Sequence, residues 1–402
     1  MLKKRQAQMT RPLGVVARPI GKFGPSLRQN IFADGTDQVN RPRASAKSIS
    51  AFHYLMIGLV ILLQIGGMID ARTHVFYGFD IQSFFVPAHY LLYGAWMLVL
   101  WSVIGYALLQ IRRGRAIVDW LPPRYGLAAL GAVLFGIAGA FDAVWHSLFG
   151  FELNLEVLLS PSHLVLFTAF GLIYFSVLSH AMYQYDLAPR EHQNSFLRSL
   201  PMLIGIASVF VIVFWPTWYF DPFAADFASN GTMIGTRDAY DFIDFSSPVA
   251  EIAGVGGIIL STLIIVPFVI LPLYHWRLPS GSLIFILAWV FIQRAIILGV
   301  YSYLPAILGA ALAGEIIWAW MRRGGEIRLS SPVGYRLLAF SVPLVLFSIY
   351  FLIIAFMPNG VIWPVHVWSG AIWMAAVAGV LMSFALIPQK GVMHKIDNGA
   401  TG

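Results

Sequence analysis

Two stretches of this 402-residue sequence repeat one order of acidic and histidine residues. In each, an Asp is followed four residues later by a His and, after a further 15 or 17 residues, by a second His. The six residues are Asp70, His74 and His89 in the first stretch, and Asp142, His146 and His163 in the second. Residues four apart on a helix share one face, with Cβ atoms about 5–6 Å apart. Each stretch therefore predicts a metal site in which an Asp and a His from one helix point at one ion.

The second His of each stretch follows a proline, in Pro87-Ala-His89 and in Pro161-Ser-His163. Proline is favoured at the first position of a helix, so this His is predicted to lie in the first turn of the next helix. The positive end of the helix disfavours an imidazolium there, and a metal ligand must be neutral. Because a short loop makes the two helices antiparallel neighbours, this His is predicted to face the other two ligands.

Two later segments repeat the proline entry and supply candidate additional ligands. These are Pro364-Val-His366 and Ser247-Pro248-Val-Ala-Glu251. An interfacial role accounts for a single His of this kind, and an Asp–His hydrogen bond without a metal would satisfy each trio, so both alternatives stay open. The donors are imidazole and carboxylate, because the sequence has no cysteine. Such donors suit copper(II), iron, zinc or manganese, and ligand type alone does not choose among them.

The composition indicates the elements that position these residues. The chain is 58% hydrophobic and 11% charged, whereas a soluble domain carries about 25% charged residues. Its mean hydropathy is +0.75. These values exclude a disordered chain and an ordinary water-soluble enzyme, and the absence of cysteine excludes disulfides, thiolate metal sites and iron–sulfur clusters. We predict an all-α, polytopic bundle of transmembrane helices.

A spanning helix needs about 20 mostly apolar residues, and ten segments meet that length and composition. They lie at about 51–70, 84–110, 125–146, 160–183, 199–219, 247–274, 281–301, 304–321, 333–357 and 364–387. Because these runs are continuous, they favour helices over a barrel. The predicted parts are a basic tail (1–48), the bundle (49–388) with a long extracytoplasmic loop (220–246), and a second tail (389–402).

The distribution of positive charge predicts the orientation. The first 50 residues carry ten Lys and Arg against two Asp and Glu, although the whole chain has a net charge of only +7. A basic segment of this kind suits the cytoplasmic side and its anionic lipids, so we expect the bilayer as partner and no nucleic acid. Further Arg residues cluster in 111–124 and 321–330. The positive-inside rule then predicts that both termini are cytoplasmic and that both trios are extracytoplasmic, in a bacterial inner membrane.

Two charged residues are predicted to lie inside the seventh and eighth spans, namely Arg294 and Glu315. Charges at that depth are rare and normally pair with one another. Because a short turn joins the two spans, we expect a buried Arg294–Glu315 charge pair.

The order Asp-x3-His followed by His resembles the copper-site pattern in the C subunit of the particulate methane and ammonia monooxygenases. That family carries a second, related site with Asn in place of Asp, so Asp142 departs from its pattern. The resemblance implies that each trio holds copper and that the protein is a membrane oxidoreductase. Such an enzyme would hydroxylate a small apolar substrate with O2, alongside other membrane subunits. The resemblance is confined to the two hairpins, whose loops are longer than the family's, and this chain has more spans.

Three other functions stay open at this point. A metal or small-solute transporter would place polar residues along a path to the membrane midplane. A haem- or pigment-binding electron-transfer subunit would use His89 and His163 as axial ligands, but it would leave the carboxylates without a role. An accessory subunit of a membrane complex would carry the trios as a vestigial site.

Overall fold

The computed structural model describes residues 45–77, 86–150, 156–188, 195–225, 227–229 and 247–387. All regular secondary structure in these ranges is helical, and no strand occurs among them. The predicted C-terminal tail, nearly all of the basic tail and most of the loop 220–246 lie outside the described residues.

Ten long helices make up the described part of the chain. They are α1 (Ala46–Tyr77), α2 (Pro87–Arg112), α3 (Gly126–Phe149), α4 (Pro161–Leu187), α5 (Phe196–Phe214), α6 (Pro248–Trp276), α7 (Ser282–Leu298), α8 (Leu304–Arg323), α9 (Pro332–Ala355) and α10 (Val365–Leu386). Within this part, nine are long and apolar enough to cross a membrane, and α7, with 17 residues, is shorter. The predicted all-helical fold is confirmed, and nine of the described helices could span a membrane, whereas ten spans and cytoplasmic termini stay predictions.

Proline starts three of the four helices that the sequence assigned to it, whereas Pro364 lies one residue before the first residue of α10, Val365. Pro87, Pro161 and Pro248 are the first residues of α2, α4 and α6. The serine before Pro161 also caps its helix, because Ser160 Oγ accepts a hydrogen bond of 3.4 Å from the His163 amide. A proline at this position needs no intrahelical N–H partner. The second His of each trio is therefore held in the first turn of its helix.

The apolar core consists of two clusters. One is built from α1 to α4, and the other is built mainly from α5 to α10. Within the first, a Cβ atom at Gly66 would lie 2.9 Å from Leu92 Cα, and one at Gly131 would lie 2.8 Å from the Ala169 carbonyl oxygen. Small residues allow helix backbones to approach closely in membrane bundles. These glycines hold α1 against α2 and α3 against α4, which are the two helix pairs that carry the trios.

A buried polar network joins the two parts of the bundle. Gln64 Oε1, on α1, accepts hydrogen bonds from Trp289 Nε1 (2.9 Å) and Gln293 Nε2 (3.0 Å) of α7. Gln64 Nε2 donates to Ser208 Oγ of α5 at 2.5 Å. Because the alternative is an unsatisfied amide in an apolar interior, this network fixes α1 against α5 and α7.

The expected Arg294–Glu315 pair does not form. Arg294 Nε donates to Asp221 Oδ2 instead, and Glu315 Oε1 accepts a hydrogen bond of 2.8 Å from the Leu283 amide. Leu283 is the second residue of α7. Arg294 lies eleven residues further along, about 16 Å at the helical rise. The two charges therefore lie at different depths, and that prediction was wrong.

The start of the predicted loop 220–246 is folded into the bundle. Asp221, Phe223 and Ala228 are buried, and Ala228 accepts a hydrogen bond of 2.8 Å from the Ile362 amide. The Tyr350 hydroxyl donates to the Pro222 carbonyl at 3.0 Å. This part of the segment closes the end of the second cluster.

Candidate metal centre

The first trio joins the end of α1 to the start of α2. Asp70 Oδ1 lies 3.8 Å from His74 Nε2, one turn further along α1, and 3.1 Å from His89 Nε2 on α2. The two imidazole centroids are 5.7 Å apart. The structure therefore brings all three predicted ligands together, and we call this group the first triad.

The second trio joins α3 to α4 in the same manner. Asp142 Oδ2 lies 3.4 Å from His146 Nε2, and Asp142 Oδ1 lies 3.5 Å from His163 Nε2. The imidazole centroids are 6.0 Å apart. We call this group the second triad. Each triad takes two ligands from one helix and the third from the next helix.

The separations within the second triad, 3.4 and 3.5 Å, fit ligands of one small ion, and those within the first triad, 3.1 and 3.8 Å, lie on either side of that spacing. An ion bound tetrahedrally at about 2.0–2.2 Å from its N and O ligands keeps them about 3.3–3.6 Å apart. A good hydrogen bond of an imidazole to a carboxylate is shorter, at about 2.7–3.2 Å. Three of the four Asp–His separations, 3.4, 3.5 and 3.8 Å, exceed that range. The ligand atoms of each triad lie within 4.8 Å of one another, and among the described residues these two triads are the groups of that kind.

One carboxylate oxygen in each triad is buried without a hydrogen bond. Asp70 Oδ1 and Asp142 Oδ1 have no hydrogen-bond partner in the described part of the chain. An unsatisfied buried acceptor costs about 1–3 kcal/mol, and more if it is charged. A cation between the carboxylate and the imidazoles would remove that cost.

The second triad has the outer hydrogen bonds that orient metal ligands. His163 Nδ1 lies 2.8 Å from Ser160 Oγ, and His146 Nδ1 lies 3.4 Å from the Gly150 carbonyl oxygen. With Nδ1 engaged, Nε2 of each ring faces Asp142. Such second partners fix the ring orientation of metal-binding histidines. The sequence analysis missed Ser160, although a serine before proline at a helix start was the available signal.

The two triads differ in accessibility. In the second, the Asp142 and His146 side chains are 6% and 11% exposed, whereas Asp70 and His74 in the first are 19% and 36% exposed. The second triad is therefore the more enclosed site and the first the more open one.

The two additional candidate ligands do not join the triads. His366 is exposed as the second residue of α10, and Glu251 is half-buried in the first turn of α6. Neither belongs to either metal-compatible group. Their helices pack in the second core cluster, away from the α1–α4 hairpins.

A second polar cluster lies at the opposite end of α1 to α4, and we call it the distal cluster. The centroids of His53 and His180 are 4.5 Å apart, His53 Nδ1 lies 2.7 Å from the Tyr125 hydroxyl, and His180 Nδ1 donates to the Pro123 carbonyl at 2.8 Å. The Tyr125 side chain is fully buried, and its phenol can donate this hydrogen bond. No spacing in the sequence indicates this cluster, because its members come from three helix ends that are distant along the chain.

Several buried atoms near the distal cluster have no hydrogen-bond partner among the described residues. They are His53 Nε2, the Tyr106 hydroxyl and both amide atoms of Gln110. Buried polar groups are normally paired with protein or with ordered water.

No protein-family model matches this sequence, and no curated protein or solved structure is similar to it. An assignment of function therefore depends on the geometry of the triads.

Proposed function

We propose that this protein is a membrane-embedded, metal-dependent oxidoreductase that binds one metal ion in each triad. One observation carries the proposal: in each triad the carboxylate of an Asp lies near the Nε2 atoms of two imidazoles, and one of its buried oxygens, Asp70 Oδ1 or Asp142 Oδ1, has no hydrogen-bond partner among the described residues. The same arrangement occurs twice, on two successive hairpins.

Three protein ligands per ion leave a coordination position for a reactant, and this donor set accepts a redox metal as well as zinc. Two imidazoles and one carboxylate without thiolate suit copper, with iron or zinc as alternatives. A copper ion held there would supply one-electron chemistry and a position for O2. This agrees with the resemblance of the motifs to copper membrane monooxygenases, and it makes hydroxylation of a small apolar substrate the specific reaction proposed. One oxygen atom of O2 would enter the substrate, and the other would leave as water with two electrons and two protons supplied by a membrane quinol. O2 and small hydrocarbons concentrate in lipid, which suits a site at a helix end.

Metal analysis of the purified full-length protein tests the proposal. Wild type should hold about two ions per chain, and His163→Ala should hold about one. His366→Ala is the matched control, because its imidazole lies outside both triads, and it should retain both ions. Wild-type protein without bound metal after loading with copper, iron or zinc would end the proposal. A His163→Ala variant with undiminished metal content would remove the second triad from it. If the metal is copper, oxidation of a short hydrocarbon with O2 and a quinol as electron donor should then depend on it.

Transport is the second candidate, and the distal cluster is what favours it. Polar residues at both ends of the same four helices are what a path for an ion would need. The middle of these helices argues against transport, because it is filled by apolar side chains. Four of them are fully buried, namely Met56, Leu63, Phe135 and Ile173. Uptake of copper or zinc by sealed vesicles separates the two functions. His53→Ala should abolish uptake in a transporter and leave metal content unchanged in the enzyme.

A haem subunit receives less support from the geometry. His89 Nε2 and His163 Nε2 each face the carboxylate of their own triad, at 3.1 and 3.5 Å. Axial ligands of one haem would instead direct these atoms at a common iron. An optical spectrum of the purified protein without a Soret band would remove this candidate.

A further inference from the structure

An open cavity lies between α1 and α7, and we call it the α1–α7 groove. Its volume is about 580 Å³, which is within the range of binding sites for small molecules. Two of the isoleucines that line it, Ile65 of α1 and Ile292 of α7, are 40% and 45% exposed, so the groove opens on an apolar side of the bundle. In a membrane, a ligand would enter the groove from the lipid.

One amide that lines the groove has hydrogen-bonding capacity to spare. Gln293 Nε2 donates to Gln64 Oε1 at 3.0 Å, whereas Gln293 Oε1 accepts no hydrogen bond from the described residues. The Gln293 side chain is half-buried, and it lines the groove near the end of α7. A carbonyl oxygen in apolar surroundings costs free energy unless a donor reaches it. The groove therefore favours a ligand that carries an O–H or N–H donor.

The other groups in the groove indicate a neutral ring with an apolar tail. Trp289 Nε1 donates to Gln64 Oε1 at 2.9 Å, which holds the indole in place, and the Phe285 ring lies 5.5 Å from the indole. A planar ring can stack on such a surface. From Gln293 back to Gly281 the groove follows α7 for about 18 Å, which gives space for a tail. None of the described residues that line the groove is charged, so the charged headgroup of a phospholipid would find no partner.

We propose that the α1–α7 groove binds a membrane quinol, with its ring on Trp289, one hydroxyl donating to Gln293 Oε1 and its tail along α7. Gln64 lies six residues before Asp70, so the ring would lie about 9 Å along α1 from the first triad. Oxidation of the quinol to the quinone releases two electrons and two protons. These are what the proposed hydroxylation consumes with O2, and this role of the quinol rests on the proposed function.

Equilibrium binding of radiolabelled decylubiquinol to the full-length protein in phosphatidylcholine vesicles tests the inference. Wild type should bind about one quinol per chain, and excess unlabelled quinol should displace it whereas excess sterol should not. Gln293→Met removes the amide oxygen at similar side-chain length, so the Kd should rise about tenfold, the effect of one lost hydrogen bond. Gln184→Met is the matched control, because Gln184 is exposed on α4 outside the groove, and its Kd should equal that of wild type.

A second pair of variants tests the groove without removing a polar atom. Ala288 lines the groove, and Ala288→Phe places a ring in it, so quinol binding should be lost. Ala385→Phe is the control, because Ala385 is exposed on α10, and it should bind quinol as wild type does. Neither substitution should change the metal content, because both positions lie outside the triads.

The outcomes separate this inference from the proposed function. Saturable quinol binding by a protein that takes up no metal would support the quinol site and end the proposed function. Two bound metal ions without saturable quinol binding would overturn the inference alone. Unchanged quinol affinity in both Gln293→Met and Ala288→Phe would also overturn it. Displacement of the quinol by the sterol would show a general site for hydroxylated lipids and overturn the assignment to quinol.

Discussion

The backbone of α2 at Leu92 lies directly against Gly66 of α1, with no space for a side chain between them. A Cβ atom at position 66 would lie 2.9 Å from Leu92 Cα and 3.1 Å from its amide nitrogen. Gly66 is one turn before Asp70, and Leu92 is three residues after His89. The contact therefore sets the separation of α1 and α2 immediately beside the first triad.

Gly66→Ala should separate α1 from α2 and weaken the first triad. The added methyl group would collide with backbone atoms of Leu92, which cannot move aside as a flexible side chain can. Overpacking of this kind costs about 1–3 kcal/mol in the free energy of unfolding. We expect a lower unfolding temperature in detergent and loss of about one metal ion per chain. Gly58→Ala on the same helix is the control, because a Cβ atom there meets no atom within 4 Å. If Gly66→Ala retained both ions, the close approach would not be what positions Asp70 and His89.

Ser160→Ala should weaken metal binding at the second triad more than it destabilises the fold. The substitution removes the partner of His163 Nδ1 and the cap of α4. Loss of the hydrogen-bond partner of a metal-binding histidine typically lowers metal affinity about 10- to 100-fold. Loss of a helix cap costs about 1 kcal/mol of stability. Competition with a chelator measures the affinity, and thermal unfolding measures the stability.

Ser331→Ala separates these two effects. Ser331 caps α9 through the Val333 amide at 3.3 Å and lies outside both triads. Its loss should lower stability similarly and leave the metal affinity unchanged. Equal metal affinities in the two variants would show that the Ser160 hydroxyl does not orient the imidazole.

The helices and triads were predictable because their signals are local. Apolar run length marks a helix, proline marks its first residue, and the four-residue spacing places Asp142 and His146 on one face. Because α3 and α4 form a helical hairpin, His163 at the start of α4 lies close to both residues, and no further sequence signal is needed to predict that. Long apolar segments joined by short loops leave few alternative arrangements of neighbouring helices.

Other features were not predictable because they depend on contacts between distant segments. His53 and His180 meet through the packing of α1 with α4, and no spacing in the sequence records that contact. The Arg294–Glu315 prediction failed because a connecting turn fixes which helices are neighbours and leaves the depth of each residue open. The partner of Arg294 is Asp221, which lies in a loop without a periodic pattern.

Tyr125→Phe should destabilise the protein without changing its metal content. The Tyr125 hydroxyl is the partner of His53 Nδ1, and His53 Nε2 has no hydrogen-bond partner among the described residues. The variant leaves the buried imidazole without its bond, at a cost of about 1–3 kcal/mol in the free energy of unfolding. Tyr54→Phe is the control, because that side chain is 62% exposed. A loss of metal in Tyr125→Phe would show that the distal cluster acts on the triads.

The buried ion pair of Asp221 with Arg294 predicts an order of stabilities among three variants. Asp221→Asn leaves the guanidinium buried beside a neutral group, so we expect a loss of about 3–5 kcal/mol in the free energy of unfolding. Glu315→Gln keeps an acceptor for the Leu283 amide, so its loss should stay below about 1.5 kcal/mol. The double substitution Asp221→Leu with Arg294→Met should be milder than Asp221→Asn, because no unpaired charge remains. Denaturant unfolding in micelles measures all three, and the reverse order for Asp221→Asn and Glu315→Gln would reinstate Glu315 as the partner of Arg294.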